Sequence, residues 1–475
     1  MSSNRSAVVG RVAALAVVAL TLVVCSSAAT PASAEPVSRP LAVTWMQGTP
    51  APGTPSKYDR VGVIKVGSRS AKNVLVLEPG TSASGAYFVP LAKWITATVH
   101  GWQVWAVVRR ESLLQDESAL NLYKRHRTSA AQLFDYYLGY LKTSSVKKHY
   151  QPVPTSSVEF AKQWGMNVAV QDLHRVIGAA KRLGGKVVLG GHSLGGSVVT
   201  AYATWDFGGR PGADGLAGLV YIDGGSQAAV SATQATQELA TLEQPTTSPW
   251  LSFGGIKAPY AGIFVATGSA AALLDPDQPS LAQSSGLLPS EIVPSEKVTN
   301  AAQFGYALNA ATSPSSLLAA QAHLGSGIST RTVDGYQTWN GSGALTPLTR
   351  FATMFSGYPM ATATGSEWYF PQRLTDDTGA VGNGIANPAQ SVLGVHATMG
   401  RHLPTSLRLL AICTVLGGPG VLAAAQALAA QSHIASSHLT LVNQASAYSH
   451  NDPAGAYPNN VFFSHLVPYL EGISR

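Results

Sequence analysis

Lys186-Val187-Val188-Leu189-Gly190-Gly191-His192-Ser193-Leu194-Gly195-Gly196-Ser197-Val198-Val199 is the stretch whose reading decides the fold. A short β-branched run ends in Gly191-x-Ser193-x-Gly195, and a helix-compatible run, Val198 to Trp205, follows at once. Strand, sharp turn and helix in that order make a nucleophile elbow, in which the turn forces the serine into a strained conformation with its hydroxyl at the tip. Glycine suits positions 191 and 195 because a Cβ at either would strike the neighbouring strand or helix. The pentapeptide alone says little in a chain with 47 glycines and many serines. The flanking strand and helix raise it above a chance Gly-rich turn. Ser193 is the candidate nucleophile.

Residues 1–34 read as a targeting segment to be set apart from the fold. Arg5 and Arg11 form a charged start, Val12 to Val24 carries no charge, and Ala32-Ser33-Ala34 supplies a small-x-small cleavage site before Glu35. The apolar run is too short to span a bilayer, so export to the extracellular space is expected. Leu22-Val23-Val24-Cys25 offers a lipoprotein box as a lesser alternative, with anchoring through Cys25, but Val24 is large where a small residue is wanted.

Without the two arginines of that segment, the chain's 31 basic residues exceed its 24 acidic ones by about five. That excess is dispersed, with no Lys/Arg cluster dense enough to track phosphates, so nucleic acid is not an expected partner. The only cysteine after Cys25 is Cys413, which excludes an intramolecular disulfide in the exported chain. It lies in the apolar run Leu409 to Cys413 and reads as core rather than as a second nucleophile.

Strand-like runs occur at Arg60–Val66, Asn73–Leu77, Gln103–Val108, Lys186–Leu189, Leu216–Ile222, Leu407–Ile412 and Leu439–Asn443. Several are continuously apolar, as strands covered on both faces of a parallel sheet are. Helix-like stretches fall between them at Tyr87–Val99, Phe160–Leu183 and Val421–Ala430, with a closing one at Val461–Leu470. The alternation predicts an α/β, doubly wound, mostly parallel sheet. Residues 35–225 would form the first part of its core and 404–475 the last. Residues 226–403 break the rhythm and read as a large inserted cap, whose many aromatic residues argue against a disordered linker. A second irregular insertion, Ser112 to Ser157, precedes the helix leading to the elbow.

A serine hydroxyl needs a base to take its proton, and the base needs an orienting carboxylate. Tyr448-Ser449-His450-Asn451-Asp452-Pro453 stands between the last strand and the closing helix, where His450 can reach back over the elbow. His465 falls inside that helix and is the weaker candidate. An oxyanion hole would use the amide of Leu194, directly after the nucleophile, and one from the loop Glu78-Pro79-Gly80-Thr81, where Gly80 lets the backbone turn inward and Thr81 supplies the donor.

With Glu78-Pro79-Gly80-Thr81, Gly191-His192-Ser193-Leu194-Gly195-Gly196 and Ser449-His450-Asn451-Asp452 in place, the chain resembles the α/β-hydrolase superfamily of serine lipases and esterases over Arg60–Gly225 and Leu407–Glu471. Relatives commonly carry a histidine where Glu78 stands. Most place the triad acid after the penultimate strand, here Leu407–Ile412, yet no Asp or Glu occurs from Thr378 through Asn451. The remaining place is the end of the strand after the elbow helix, where Leu219-Val220-Tyr221-Ile222-Asp223-Gly224-Gly225 offers Asp223. Asp376 and Asp377 are distant rivals.

The resemblance implies a secreted serine hydrolase of carboxylic esters, working through an acyl-enzyme without metal or cofactor. The aromatic-bearing cap suggests a covered acyl pocket, hence a small or lipid-like ester substrate and transient contact with lipid surfaces. Peptide or amide hydrolysis and acyl transfer use the same triad and stay open. A catalytically silent hydrolase-fold binding protein is the reading of another class.

Overall fold

In a computed structural model, residues 41–360 and 362–475 are described. The expected targeting segment and Cys25 lie outside them. Among the described residues ten strands form, β1 (Val43–Gln47), β2 (Arg60–Val66), β3 (Asn73–Glu78), β4 (Trp102–Val108), β5 (Val187–His192), β6 (Gly218–Ile222), β7 (Gly327–Val333), β8 (Tyr336–Asn340), β9 (Arg408–Cys413) and β10 (Leu439–Asn443). Eight of them make one sheet in the order β1-β2-β4-β3-β5-β6-β9-β10, and β7 and β8 form a separate hairpin. Within the eight-stranded sheet the β1–β2 and β2–β4 pairs are antiparallel and the other five pairings are parallel; the β7–β8 hairpin is antiparallel.

The central strands β3, β4, β5, β6 and β9 are buried almost throughout, which is why their sequences are continuously apolar rather than alternating. One face packs against the helices Met166–Lys181, Leu194–Thr204 and Gly418–Gln431, and the other against Val89–Thr98 and Val461–Ser474.

The expected Phe160–Leu183 helix is divided. A short 3-10 turn covers Glu159–Gln163, and the α-helix begins at Met166. At the break a Cβ on Gly165 would collide with the Asp377 carboxylate, and that carboxylate accepts the Met166 amide at 2.7 Å. Asp377 thus satisfies one of the helix's free N-terminal donors.

The chain between β6 and β9 is structured, with helices at Ala232–Glu243, Tyr260–Leu274, Asn300–Leu308 and Leu348–Ser356 besides the hairpin. Its Trp250, Ile263, Ala266, Ala270, Trp368 and Tyr369 pack with Leu120, Leu133, Tyr137 and Tyr150 of the Ser112–Ser157 stretch in a third apolar cluster. Cys413 is free and buried, and burial raises its thiol pKa.

Candidate active site

A mostly parallel sheet in this strand order is an α/β-hydrolase fold, whose strand ends at the carboxyl edge collect the side chains that concern us. β5 ends at His192, Ser193 has φ 56° and ψ −129°, and the Leu194–Thr204 helix starts at once. A positive φ on a serine is strain held in place by its surroundings. Those surroundings admit no side chains. A Cβ on Gly191 would strike Gly195, one on Gly195 would strike Glu78, and one on Gly224 would strike Ser193. The hydroxyl therefore sits at the tip of a turn clamped by three backbones.

β6 runs beside β5 and β9, pairing Ile222 with both His192 and Ile412. Asp223 follows it, 2 % exposed, and accepts His450 Nδ1 at 2.6 Å. The Thr414 amide donates to Asp223 Oδ1 at 2.6 Å, the Thr414 hydroxyl donates to Oδ2, and the Gly417 amide approaches Oδ1 at 3.2 Å. Burial alone would raise the Asp223 pKa, but the bonds from His450 and Thr414 outweigh it and hold the carboxyl below its ordinary value. The Nδ1–carboxylate contact leaves His450 Nε2 for a proton from the serine. Ser193 and His450 line the same cavity, but no hydrogen bond closes between them among the described contacts. Such bonds are often long without substrate.

The rival aspartates of the β6–β9 connection are occupied elsewhere. Asp377 Oδ1 takes Arg373 Nε at 2.6 Å beside its helix-capping bond, and Asp376 accepts Gln372 Nε2 at 2.6 Å. His465 lies in the closing helix with Nδ1 2.9 Å from the Val461 carbonyl.

The loop after β3 is held by Arg109, a residue that no motif singles out. Its guanidinium donates to Glu78 Oε1 (2.9 Å), the Pro79 carbonyl (2.9 Å), the Gly80 carbonyl (2.9 Å), the Ala83 carbonyl (2.8 Å) and Glu111 (3.0 Å). The Gly80 carbonyl and the Thr81 amide belong to one planar peptide unit, so fixing the first towards Arg109 turns the second the opposite way. Gly80 lies against Ser193, where an added Cβ would meet the serine Cβ at 2.7 Å. No acceptor for the Thr81 amide appears among the described residues, and Leu194, first in its helix, has no intrahelical acceptor. Both donors are free for an oxyanion. Glu78 thus orders the loop through Arg109, with burial pushing its carboxyl up to about 7 against the pull of the guanidinium.

Removing this bracket should be costly. Arg109→Ala leaves Glu78 and Glu111 buried without their counter-charge, an expected loss of about 3–5 kcal/mol in denaturant unfolding. Glu78→Gln should cost less, since the side chain is already partly neutral near pH 7.

The His450 loop has its own ties. Asn451 accepts the Tyr87 hydroxyl at 2.9 Å and donates to the Gln321 carbonyl at 3.0 Å. Asp452, fully buried, accepts the Ser449 amide (2.7 Å), the Thr346 hydroxyl (2.8 Å), and the amide and Nδ1 of His323 (3.0 and 2.5 Å). His192 stacks on Tyr87 and contacts the His450 carbonyl at 2.9 Å; burial and the nearby His450 lower its pKa to about 3, so it stays neutral.

The hydrogen bond to Asp452 raises the His323 pKa. A raised histidine stabilises fully below its unfolded pKa of about 6.5 and loses that contribution as pH rises through the folded value. The melting-temperature gap between wild type and His323→Gln should therefore be larger at pH 5.5 than at pH 8.5. A gap that widens with pH would overturn that coupling.

Two cavities reach Ser193. One, of about 60 Å³, is walled by Gly80, Thr81, Tyr87, His192 and His450 with apolar residues of the β6–β9 connection. The other, about 720 Å³, borders Leu194, Asp223, Ser226, Gln227 and Asn383.

No family model matches the sequence, and no curated protein sequence matches it. Solved structures similar to the chain include a putative lipase from Sulfolobus solfataricus, with TM-score 0.44 and 14% identity, over 90% of this chain and 93% of that one. A soluble variant of monoglyceride lipase from Saccharomyces cerevisiae has TM-score 0.38 and 9% identity over 92% and 96%. A carboxyl esterase from Bacillus coagulans has TM-score 0.37 and 12% identity over 92% and 100%.

Proposed function

We propose that the protein is a serine hydrolase of carboxylic esters. The observation that carries this is the contact of His450 Nδ1 with Asp223 at 2.6 Å in a site that also holds Ser193 at a strained strand-to-helix turn. Ser193 Oγ attacks the ester carbonyl carbon as His450 Nε2 takes the hydroxyl proton. The Thr81 and Leu194 amides receive the oxyanion. The tetrahedral species collapses, the bond to the alcohol oxygen breaks, and His450 returns the proton to the departing alcohol. Water then attacks the acyl-enzyme with His450 again as base, releasing the carboxylic acid and restoring Ser193. Asp223 keeps the imidazole in the Nδ1-protonated tautomer and stabilises the imidazolium. The wide cavity that Ser226, Gln227 and Asn383 border gives the alcohol a way out.

A p-nitrophenyl ester series run beside an aminoacyl-anilide panel tests the reading. Ester turnover supports it, anilide turnover alone replaces it with amide hydrolysis, and silence on both with no phosphonate labelling replaces it with a binding protein. Export with removal of residues 1–34 belongs to the same proposal. N-terminal sequencing of secreted material should begin at Glu35; a retained segment would overturn export by cleavage.

A further inference from the structure

The small cavity over Ser193 does not end there. Phe253, Ala261, Val265, Leu308 and Ala320 wall it, and the same five residues wall a second cavity of about 130 Å³. We propose that the two are successive rooms of one channel, and that the second receives the distal part of a long unbranched acyl chain. This rests on the ester reading above and names its substrate class.

The helix Tyr260–Leu274 builds the shared wall. Ala261, Val265, Gly268 and Ala271 recur at the three- and four-residue spacing of a single helix face, and all four are only partly buried. Their neighbours Ile263, Ala266 and Ala270 are fully covered in the third apolar cluster. The helix thus buries one apolar face in the protein and leaves another facing the channel. From Ala261 to Ala271 it advances ~15 Å, which accommodates an extended chain of on the order of ten carbons.

The second room offers little to a polar ligand. The Thr267 hydroxyl donates to the Ile263 carbonyl at 2.8 Å, Asn300 Nδ2 to the Asp275 carbonyl at 2.9 Å, and Gln303 Nε2 to the Ile292 carbonyl at 2.7 Å. Gln303 Oε1 is the one side-chain acceptor of the room, among the described residues, buried without a partner. Ser280 Oγ accepts the Gln283 amide at 3.2 Å, and the rest of the wall is aliphatic or aromatic and carries no charge. Each methylene that enters should therefore add roughly fourfold to binding, until the room is full.

Gly268 is the position to test. A Cβ there meets only Phe304 Cδ2, at an ordinary 3.6 Å, and the residue is helical, so Gly268→Leu fits the backbone and projects into the room. The expected result is a fall of tenfold or more, as an order of magnitude, in the ratio of dodecanoyl to butyryl p-nitrophenyl ester turnover. Binding of dodecanoate to the Ser193→Ala protein, followed by calorimetry, should weaken comparably when Gly268→Leu is added. An unchanged ratio with short-ester turnover intact would overturn the channel and leave the ester reading standing. Failure of dodecanoate to bind, or indifference of its binding to Gly268→Leu, overturns the channel whether or not any ester is cleaved.

Discussion

Ser193→Ala should lower ester turnover by several orders of magnitude while leaving the fold and substrate affinity close to those of the wild type. The proposed attack comes from this hydroxyl, whereas the Thr81 and Leu194 amides and the channel survive its removal. A residual rate of about 10³–10⁴ over water is therefore expected from oxyanion binding and orientation alone. Alanine introduces no new conformational demand, because the positive φ at this position is imposed on serine already. The check is single-turnover kinetics at saturating ester, with circular dichroism to show that the fold is retained.

Asp223→Asn should cost up to about 10⁴ in turnover. The carboxylate accepts from His450 Nδ1 and from Thr414 and Gly417, so every partner around it is a donor. An amide cannot accept from all of them, and whichever way it turns, an N–H faces a donor or the imidazole is pushed into the wrong tautomer. Asp376→Asn and Asp377→Asn should cost far less in turnover, because those carboxylates serve Gln372, Arg373 and the Met166 amide. Near-native activity in Asp223→Asn, with a collapse in Asp376→Asn or Asp377→Asn, would place the acid in the β6–β9 connection instead.

The positions of these residues were legible in the sequence to different depths. The central strands announced themselves because a strand covered on both faces has to be apolar throughout, and β2 and β10 carry the bounds read from the sequence. β1 escaped notice because Val43-Thr44-Trp45-Met46-Gln47 is a short edge strand with one partner and mixed character. The β7–β8 hairpin is equally thin as a signal: most of it is partly exposed, so its sequence lacks a clean two-residue alternation. In the broken helix before the elbow, Gly165 was visible, but the aspartate that crowds it lies more than two hundred residues away.

At the site, Asp223 stands out in the sequence once the resemblance calls for a triad acid and no Asp or Glu occurs from Thr378 through Asn451. Thr414 does not. It follows β9 and hands the carboxylate after the neighbouring strand two donors, its amide and its hydroxyl. Adjacent parallel strands lie only ~4.8 Å apart, so the carboxylate after β6 and the donors after β9 meet beside the same imidazole. Arg109 was illegible for another reason: its five acceptors are mostly backbone carbonyls, which carry no sequence identity. The second room of the channel draws on five separated stretches, 130–138, 253–271, 280–292, 300–308 and 317–320, and exists only once the chain has folded.

The most direct measurement is stoichiometric labelling by a fluorophosphonate, read by intact mass and peptide mapping. The predicted result is one adduct per chain, located on Ser193, absent in Ser193→Ala and formed markedly more slowly in His450→Gln and Asp223→Asn. Labelling that persists in Ser193→Ala, or maps to another serine, would contradict the assignment of the nucleophile and with it the relay built around it.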